Sequence, residues 1–176
     1  MSTLRTARPD DVPALAALIG RSGRGLRDGY TEAQAAALTT HVFGVDSQLV
    51  RDGTYFVVED GGAIVACGGW SRRRTLFGGD QAKAGPDPLL DPTTEPARIR
   101  AFFVDPAQAR RGHGRRLLAA CEDAARAHGF TSLELVSTAP GEPLYRAGGF
   151  EVVERFALRL PGGVEAPVAR MRKPLG

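Results

Sequence analysis

With 176 residues, 43% of them hydrophobic and 24% charged, the chain has the length of one domain and a globular balance that excludes wholesale disorder. No apolar run reaches the roughly 18 residues of a membrane span, two cysteines (Cys67 and Cys121) cannot build a disulfide framework, and three histidines without paired spacing exclude a structural zinc site. The net charge of +3 rests on 23 basic residues, of which only Lys83 and Lys173 are not arginine. The guanidinium fork suits phosphate and carboxylate. Ala, Gly and Pro are also abundant, as in GC-rich coding, so only local arginine clusters carry weight. Met1-Ser2-Thr3-Leu4-Arg5 leads into no signal-like apolar stretch, and the expectation is a cytoplasmic, single-domain protein over residues 1–176 with no membrane contact.

In chain order, Asp10-Asp11-Val12-Pro13 opens a first helix, with an Asp as N-cap and proline in the first turn. Leu15, Leu18 and Ile19 form its apolar stripe, and a Gly/Arg-rich loop follows over 22–30. Thr31-Glu32-Ala33-Gln34 caps a second helix running to about His41. Residues 54–59 are a strand, Asp60-Gly61-Gly62 a hairpin turn, and 63–70 the return strand. Residues 71–96 hold four prolines and begin Ser71-Arg72-Arg73-Arg74; a loop of this length in a compact domain is functional or disordered. A strand over 98–104 is stopped by Asp105-Pro106. A helix over 112–128 carries Leu117, Leu118, Cys121 and Ala125 on its apolar side and ends at Gly129. Residues 132–137 form a strand, 142–147 a short helix, and 150–160 with 164–171 a hairpin around Pro161-Gly162-Gly163. This order is α/β, and the strand–helix–strand unit over 98–137 is parallel with a right-handed crossover.

The chemistry concentrates in Ala109-Arg110-Arg111-Gly112-His113-Gly114-Arg115-Arg116, between a strand and the start of a helix. A helix start presents unpaired N–H groups and the positive end of a dipole, and together they bind anions. Gly112 and Gly114 let a ligand reach the backbone, and four arginines flank them. A dinucleotide fingerprint would need a third glycine where Leu117 stands, and the nucleoside-triphosphate loop pattern is absent.

The stretch from Ile99 to Phe150 resembles the GCN5-related N-acetyltransferase family. In that family a Q/R-x-x-G-x-G/A loop holds the pyrophosphate of acetyl-coenzyme A. Ala109-Arg110-Arg111-Gly112-His113-Gly114 matches at both glycines and departs at Ala109. The family's tyrosine before a Gly-Phe pair is matched by Tyr145-Arg146-Ala147-Gly148-Gly149-Phe150. The resemblance implies a mixed central sheet, mostly antiparallel around the parallel unit and flanked by helices. It implies acetyl-coenzyme A as cosubstrate, no metal, and direct transfer to a primary amine. The pantetheine arm would run beside Phe102-Phe103-Val104 and the pyrophosphate would rest on Arg110, Arg111, Gly112, His113, Gly114 and Arg115. Tyr145 would protonate the leaving thiolate. A homodimer is a further implication.

Where many family members carry a basic glutamate, this chain has Arg98 and Arg100. Glu95, Glu134, Asp80, a water chain, or a neutral amine needing no base all stay open. Tyr30, Trp70 and Arg100 are candidates to contact a small-molecule acceptor, with core packing or surface pairing as their alternatives. Two other functions stay open: a non-catalytic acyl-coenzyme A sensor and an arginine-rich nucleic-acid-binding module. The latter is disfavoured by 7% aromatics and no interleaved basic–aromatic run.

Overall fold

The computed structural model describes residues 1–176. In chain order the elements are β1 (Thr3–Thr6), α1 (Val12–Ser22), α2 (Glu32–His41), α3 (Ser47–Asp52), β2 (Tyr55–Asp60), β3 (Ala63–Ser71), β4 (Ala97–Val104), α4 (His113–Ala127), β5 (Ser132–Ser137), α5 (Glu142–Ala147), β6 (Glu151–Leu160) and β7 (Val164–Pro174). All seven strands join one sheet in the order β1-β2-β3-β4-β5-β7-β6. Every pairing is antiparallel except β4 with β5. The mixed sheet expected above is therefore present, and no helix is long and apolar enough to cross a membrane.

Helices cover both faces of the sheet. Leu15 and Leu18 of α1 and Leu49 of α3 pack on Val57 and Cys67 from one side. Leu118, Cys121 and Ala125 of α4 pack on Ile99, Leu133 and Met171 from the other. This double cover explains why β3 is buried at every position after Ala63, as strands covered on both faces are. The turn between β2 and β3 needs two residues at positive φ, and Gly61 (60°) and Gly62 (82°) supply them.

Three features depart from the sequence reading. β1 pairs with β2 although four residues carry too little pattern to announce a strand. Its Arg5 reaches Glu59 Oε1 at 2.8 Å and both carboxylate oxygens of Asp11 at 2.8 Å. Asp11 also accepts the Arg8 N–H at 2.7 Å, so it does not cap α1 as expected but ties β1 to the turn before α1. The Arg5 guanidinium holds the Asp11 carboxyl down at about 2. Finally, α3 was hidden in a stretch without apolar periodicity. Asp46 caps it, accepting from Gln48 N at 3.1 Å and Leu49 N at 3.4 Å.

Residues 71–96 are tied down at several points. Leu90 N donates to Arg72 O at 2.7 Å and Arg74 N to Pro88 O at 3.0 Å, folding the segment back on itself. Arg73 grips Asp52 of α3 at 2.7 and 3.0 Å. The main anchor is Asp46, fully buried, which receives Arg100 at 2.7 Å and Lys83. Arg100 in turn donates to Thr75 O at 3.1 Å and Gly78 O at 2.6 Å. Burial pushes the Arg100 guanidinium below its usual pKa, and the neighbouring Asp46 charge opposes that shift.

Removing one partner of a buried ion pair strands the other charge out of water. Asp46→Ala is therefore expected to cost about 3–5 kcal/mol of unfolding free energy, read from the shift of the denaturant midpoint at constant slope.

Candidate active site

β4 and β5 pair through only two positions, Ala97 with Leu133 and Arg98 with Glu134. Beyond them β4 follows β3 and β5 follows β7, so the two strands splay apart. A bulge helps to turn β4 away. Cys67 pairs with Phe103 and Gly69 with Arg100, which leaves an extra residue on β4. Ala101 absorbs the irregularity at a φ of 56°, and the Tyr55 hydroxyl holds its carbonyl at 2.8 Å.

A cleft of about 340 Å³ opens where the strands part. Ile99 to Val104 form one wall and Val136 to Thr138 the facing one. Tyr145 of α5 lies between them. Its ring meets Phe102 edge-on at 6.0 Å and Phe150 at 5.8 Å. It lines the cleft, and its hydroxyl has no hydrogen-bond partner within the chain. Burial pushes its phenol well above the usual tyrosine value, with Cys121 adding to the shift. The phenol therefore stays protonated through neutral and mildly alkaline pH and can act as a proton donor.

The glycine loop leads out of β4 at one end of this cleft. Asp105 accepts from Ala107 N at 3.0 Å and shapes a single turn over Pro106–Gln108. The chain then passes Arg110 at a φ of 63° and Gly112 at 81° to enter α4. The contrast with the other helices is instructive. The Thr31 hydroxyl caps α2 and the Asp46 carboxylate caps α3. α4 has no side-chain cap, and the N–H groups of Gly112, His113, Gly114 and Arg115 make no hydrogen bond within the chain. These donors and the dipole behind them suit an anion. Arg110, Arg111 and Arg115 are exposed around them and pair with no carboxylate. His113 is instead buried, with Nε2 at 3.4 Å from Gln108 Oε1.

The structure thus brings together Phe102, Phe103, Val104 and Tyr145 on the cleft, with Arg110, Arg111, Gly112, Gly114 and Arg115 at the loop. It does not bring in the other expected acceptor contacts as free groups. Arg100 borders the cleft, but its guanidinium is engaged by Asp46, Thr75 and Gly78. Trp70 is 1% exposed and packs against His128 and Phe130 behind the sheet. Tyr30 donates to Pro167 O at 2.7 Å and accepts from Ala139 N at 3.0 Å, outside the cleft lining. The proposed bases fare similarly. Glu134 is held by Arg98, Arg170 and Arg172; burial works against its charge, but the arginines outweigh it and keep the carboxyl below its usual range. Asp80 accepts from Ser47 N at 3.0 Å and Glu95 from Asp91 N at 3.0 Å, and neither lines the cleft.

Sequence reasoning missed Leu26, Leu38, Phe43, Leu76 and Phe77, which also line the cleft. Only Leu76-Phe77, an apolar pair in a polar loop just before Gly78-Gly79, left a local signal.

The sequence pattern of the acetyltransferase (GNAT) family matches residues 25–150. No curated protein matches the chain in sequence. Among solved structures, it is similar to a GCN5-related N-acetyltransferase from Rhodopseudomonas palustris, at 20% identity and a TM-score of 0.70, covering 99% of this chain and 96% of that one. It is similar to the putative acetyltransferase yncA of Salmonella typhimurium, solved with its cofactor acetyl-CoA, at 18% identity and 0.63 over 99% and 94%. It is also similar to the ribosomal-protein-S18-alanine N-acetyltransferase of Escherichia coli, at 18% identity and 0.63 over 100% and 95%. At these identities the likeness is one of fold.

At Gly112 an added Cβ has open space around it, so a side chain there meets backbone strain rather than a clash. Gly112→Ala is expected to cost about 1–2 kcal/mol of stability. Gly112→Asp adds a negative charge among the unpaired amides and is expected to weaken coenzyme A binding at least tenfold in a calorimetric titration, more than Gly112→Ala does.

Proposed function

The chain belongs to the acetyltransferase (GNAT) family, and from that premise we propose that it is an acetyl-coenzyme A-dependent N-acetyltransferase that acts on a primary amine of a small molecule by direct transfer in a ternary complex. The observation that carries this reading is the continuity of the site. The unpaired amides of Gly112–Arg115 lie at one end of the splay between β4 and β5, and the unpartnered Tyr145 hydroxyl lies within it. Acetyl-coenzyme A would supply an activated acyl carbon on a thiol leaving group.

The residues divide the work. The first turn of α4, with Arg110, Arg111 and Arg115, holds the pyrophosphate through backbone donors and positive charge. The cleft-side backbone of Ile99 to Val104 is released from β5 beyond Arg98 and can bond an extended amide-bearing arm as a further strand would. Phe102 and Phe103 pack against that arm and exclude water. As the amine forms its bond to the acyl carbon and the carbon–sulfur bond breaks, Tyr145 gives its proton to the sulfur. The amine's surplus proton leaves to solvent, and Tyr145 recovers one in turn. A thiolate with a reference value near 8.5 accepts a proton readily from a donor held within reach.

The arginines support this reading over nucleic-acid binding. Arg5, Arg73, Arg98, Arg100, Arg155 and Arg170 are paired with carboxylates, and an exposed unpaired cluster gathers at the glycine loop. A cytoplasmic setting agrees with two free, buried thiols. An acyl-coenzyme A sensor remains the second reading, favoured by the lack of a carboxylate on the cleft wall.

Tyr145→Phe separates the two. For a transferase it lowers kcat by about 10²–10⁴ and changes the Kd of acetyl-coenzyme A by less than threefold; for a sensor there is no turnover to lose. Because the Tyr145 phenol is held above its ordinary value, the wild-type kcat should show no alkaline loss from this group until above pH 10. A fall beginning near neutrality would assign the proton donor elsewhere.

A further inference from the structure

Given that transferase reading, on which it rests, we propose that the acceptor is a small, apolar amine of the aromatic-amine class, which enters the cleft uncharged and needs no base from the enzyme. The cleft has two halves. The donor half is β4, the end of β5 and the start of α5. The acceptor half is closed by Leu26, Leu38, Phe43, Leu76, Phe77 and Leu158. The hydroxyl in that half, on Ser22, already donates to Ile19 O at 2.7 Å. Phe43 meets Phe103 edge-on at 5.2 Å, so aromatic rings flank the place where the halves join.

Charge decides the rest. Of 26 lining residues, only Arg100 and Tyr145 are ionisable. Arg100 is positive, and behind it stand Asp46 and Lys83, with Asp46 saturated by both cations. Behind Tyr145 lies Cys121, and behind Ala101 lie Tyr55 and Cys67, all held protonated by burial. His41, Asp80, Asp105 and Glu142 belong to neighbouring segments but do not line the cleft. An ammonium entering this space would leave water and meet no counter-charge, which disfavours the charged form. An alkylamine with a lysine-like value is unprotonated in only about one molecule in 2,500 at pH 7. An aromatic amine, whose nitrogen lone pair is shared with the ring, is already neutral there. A volume of about 340 Å³ shared with the thioester arm leaves room for about one ring.

The test compares aniline, 2-phenylethylamine and putrescine as acceptors, with thiol release from acetyl-coenzyme A as readout and calorimetry of acetyl-coenzyme A alongside. At pH 7 the expected kcat/KM for aniline exceeds that for 2-phenylethylamine at least tenfold and that for putrescine further. The first gap narrows as pH rises towards 10, following the ionisation of the alkylamine itself. Equal or better use of either alkylamine at pH 7 overturns the acceptor class and leaves the transferase reading standing, whereas binding of acetyl-coenzyme A with acetylation of none of the three overturns the acceptor class and favours the sensor. Failure to bind acetyl-coenzyme A overturns the transferase reading. A second arm places a carboxylate in the acceptor half. Leu76→Glu should raise the 2-phenylethylamine-to-aniline ratio at pH 7 at least fivefold over Leu76→Gln, and an unchanged ratio overturns the role assigned to the missing counter-charge.

Discussion

Two parallel strands that begin side by side and part after two residue pairs create everything else at this site. Inside a sheet, each edge of a strand is normally consumed by its neighbour's hydrogen bonds, because unpaired buried backbone groups are costly. β4 gives up β5 beyond Arg98, so its backbone must find other partners. The cost is contained at both ends. Below the fork, Glu134 of β5 gathers Arg98 from β4 and Arg170 and Arg172 from β7 and clamps the three strands together. Above it, the bulge at Ala101 is locked by the Tyr55 hydroxyl. The wedge between is then rigid, and a rigid opening is what a positioned acyl group requires.

The second structural constraint is that the long 71–96 segment must lie across this opening without blocking it. It is held by buried Leu90 in the core and, along the rest of its length, by charge. Arg73 fixes it to α3, and Arg100 and Lys83 converge on buried Asp46. Such an arrangement is weak as a source of stability but specific in geometry. It sets Leu76 and Phe77 beside the cleft, and it removes Arg100 from the list of groups that could meet a substrate.

The legible parts of the chain were those with local causes. The loop at Gly112 and Gly114, the turn at Gly61-Gly62, the Thr31–Gln34 cap and the apolar stripe of Leu117, Leu118, Cys121 and Ala125 each follow from residues within a few positions of one another. Their boundaries fell within a residue or two of the elements observed. The family resemblance pointed to Tyr145, and the structure adds its ring contacts and its burial. What sequence could not show depends on distant partners. Nothing near Arg100 announces Asp46, 54 residues away. Trp70 reads the same whether it walls a pocket or, as here, fills the core beside Phe130. β1 exists because β2 offers it an edge, and α3 because Asp46 caps it, and neither has a periodic pattern of its own.

A last consequence concerns the two cysteines. A thioester is as vulnerable to a thiolate as to an amine, so a protein that holds one beside its own cysteines risks acylating itself. Cys121 stands directly behind Tyr145, and Cys67 directly behind the bulge of β4. Both are fully buried, and burial pushes Cys67 up to about 12 and Cys121 well above its usual value. Nucleophilic attack requires the thiolate, and here neither sulfur ionises at neutral pH or reaches the surface. The fold thus gives the site chemoselectivity against its own side chains: sulfur is present on both sides of the fork, yet the acyl group is reserved for a nucleophile arriving from outside.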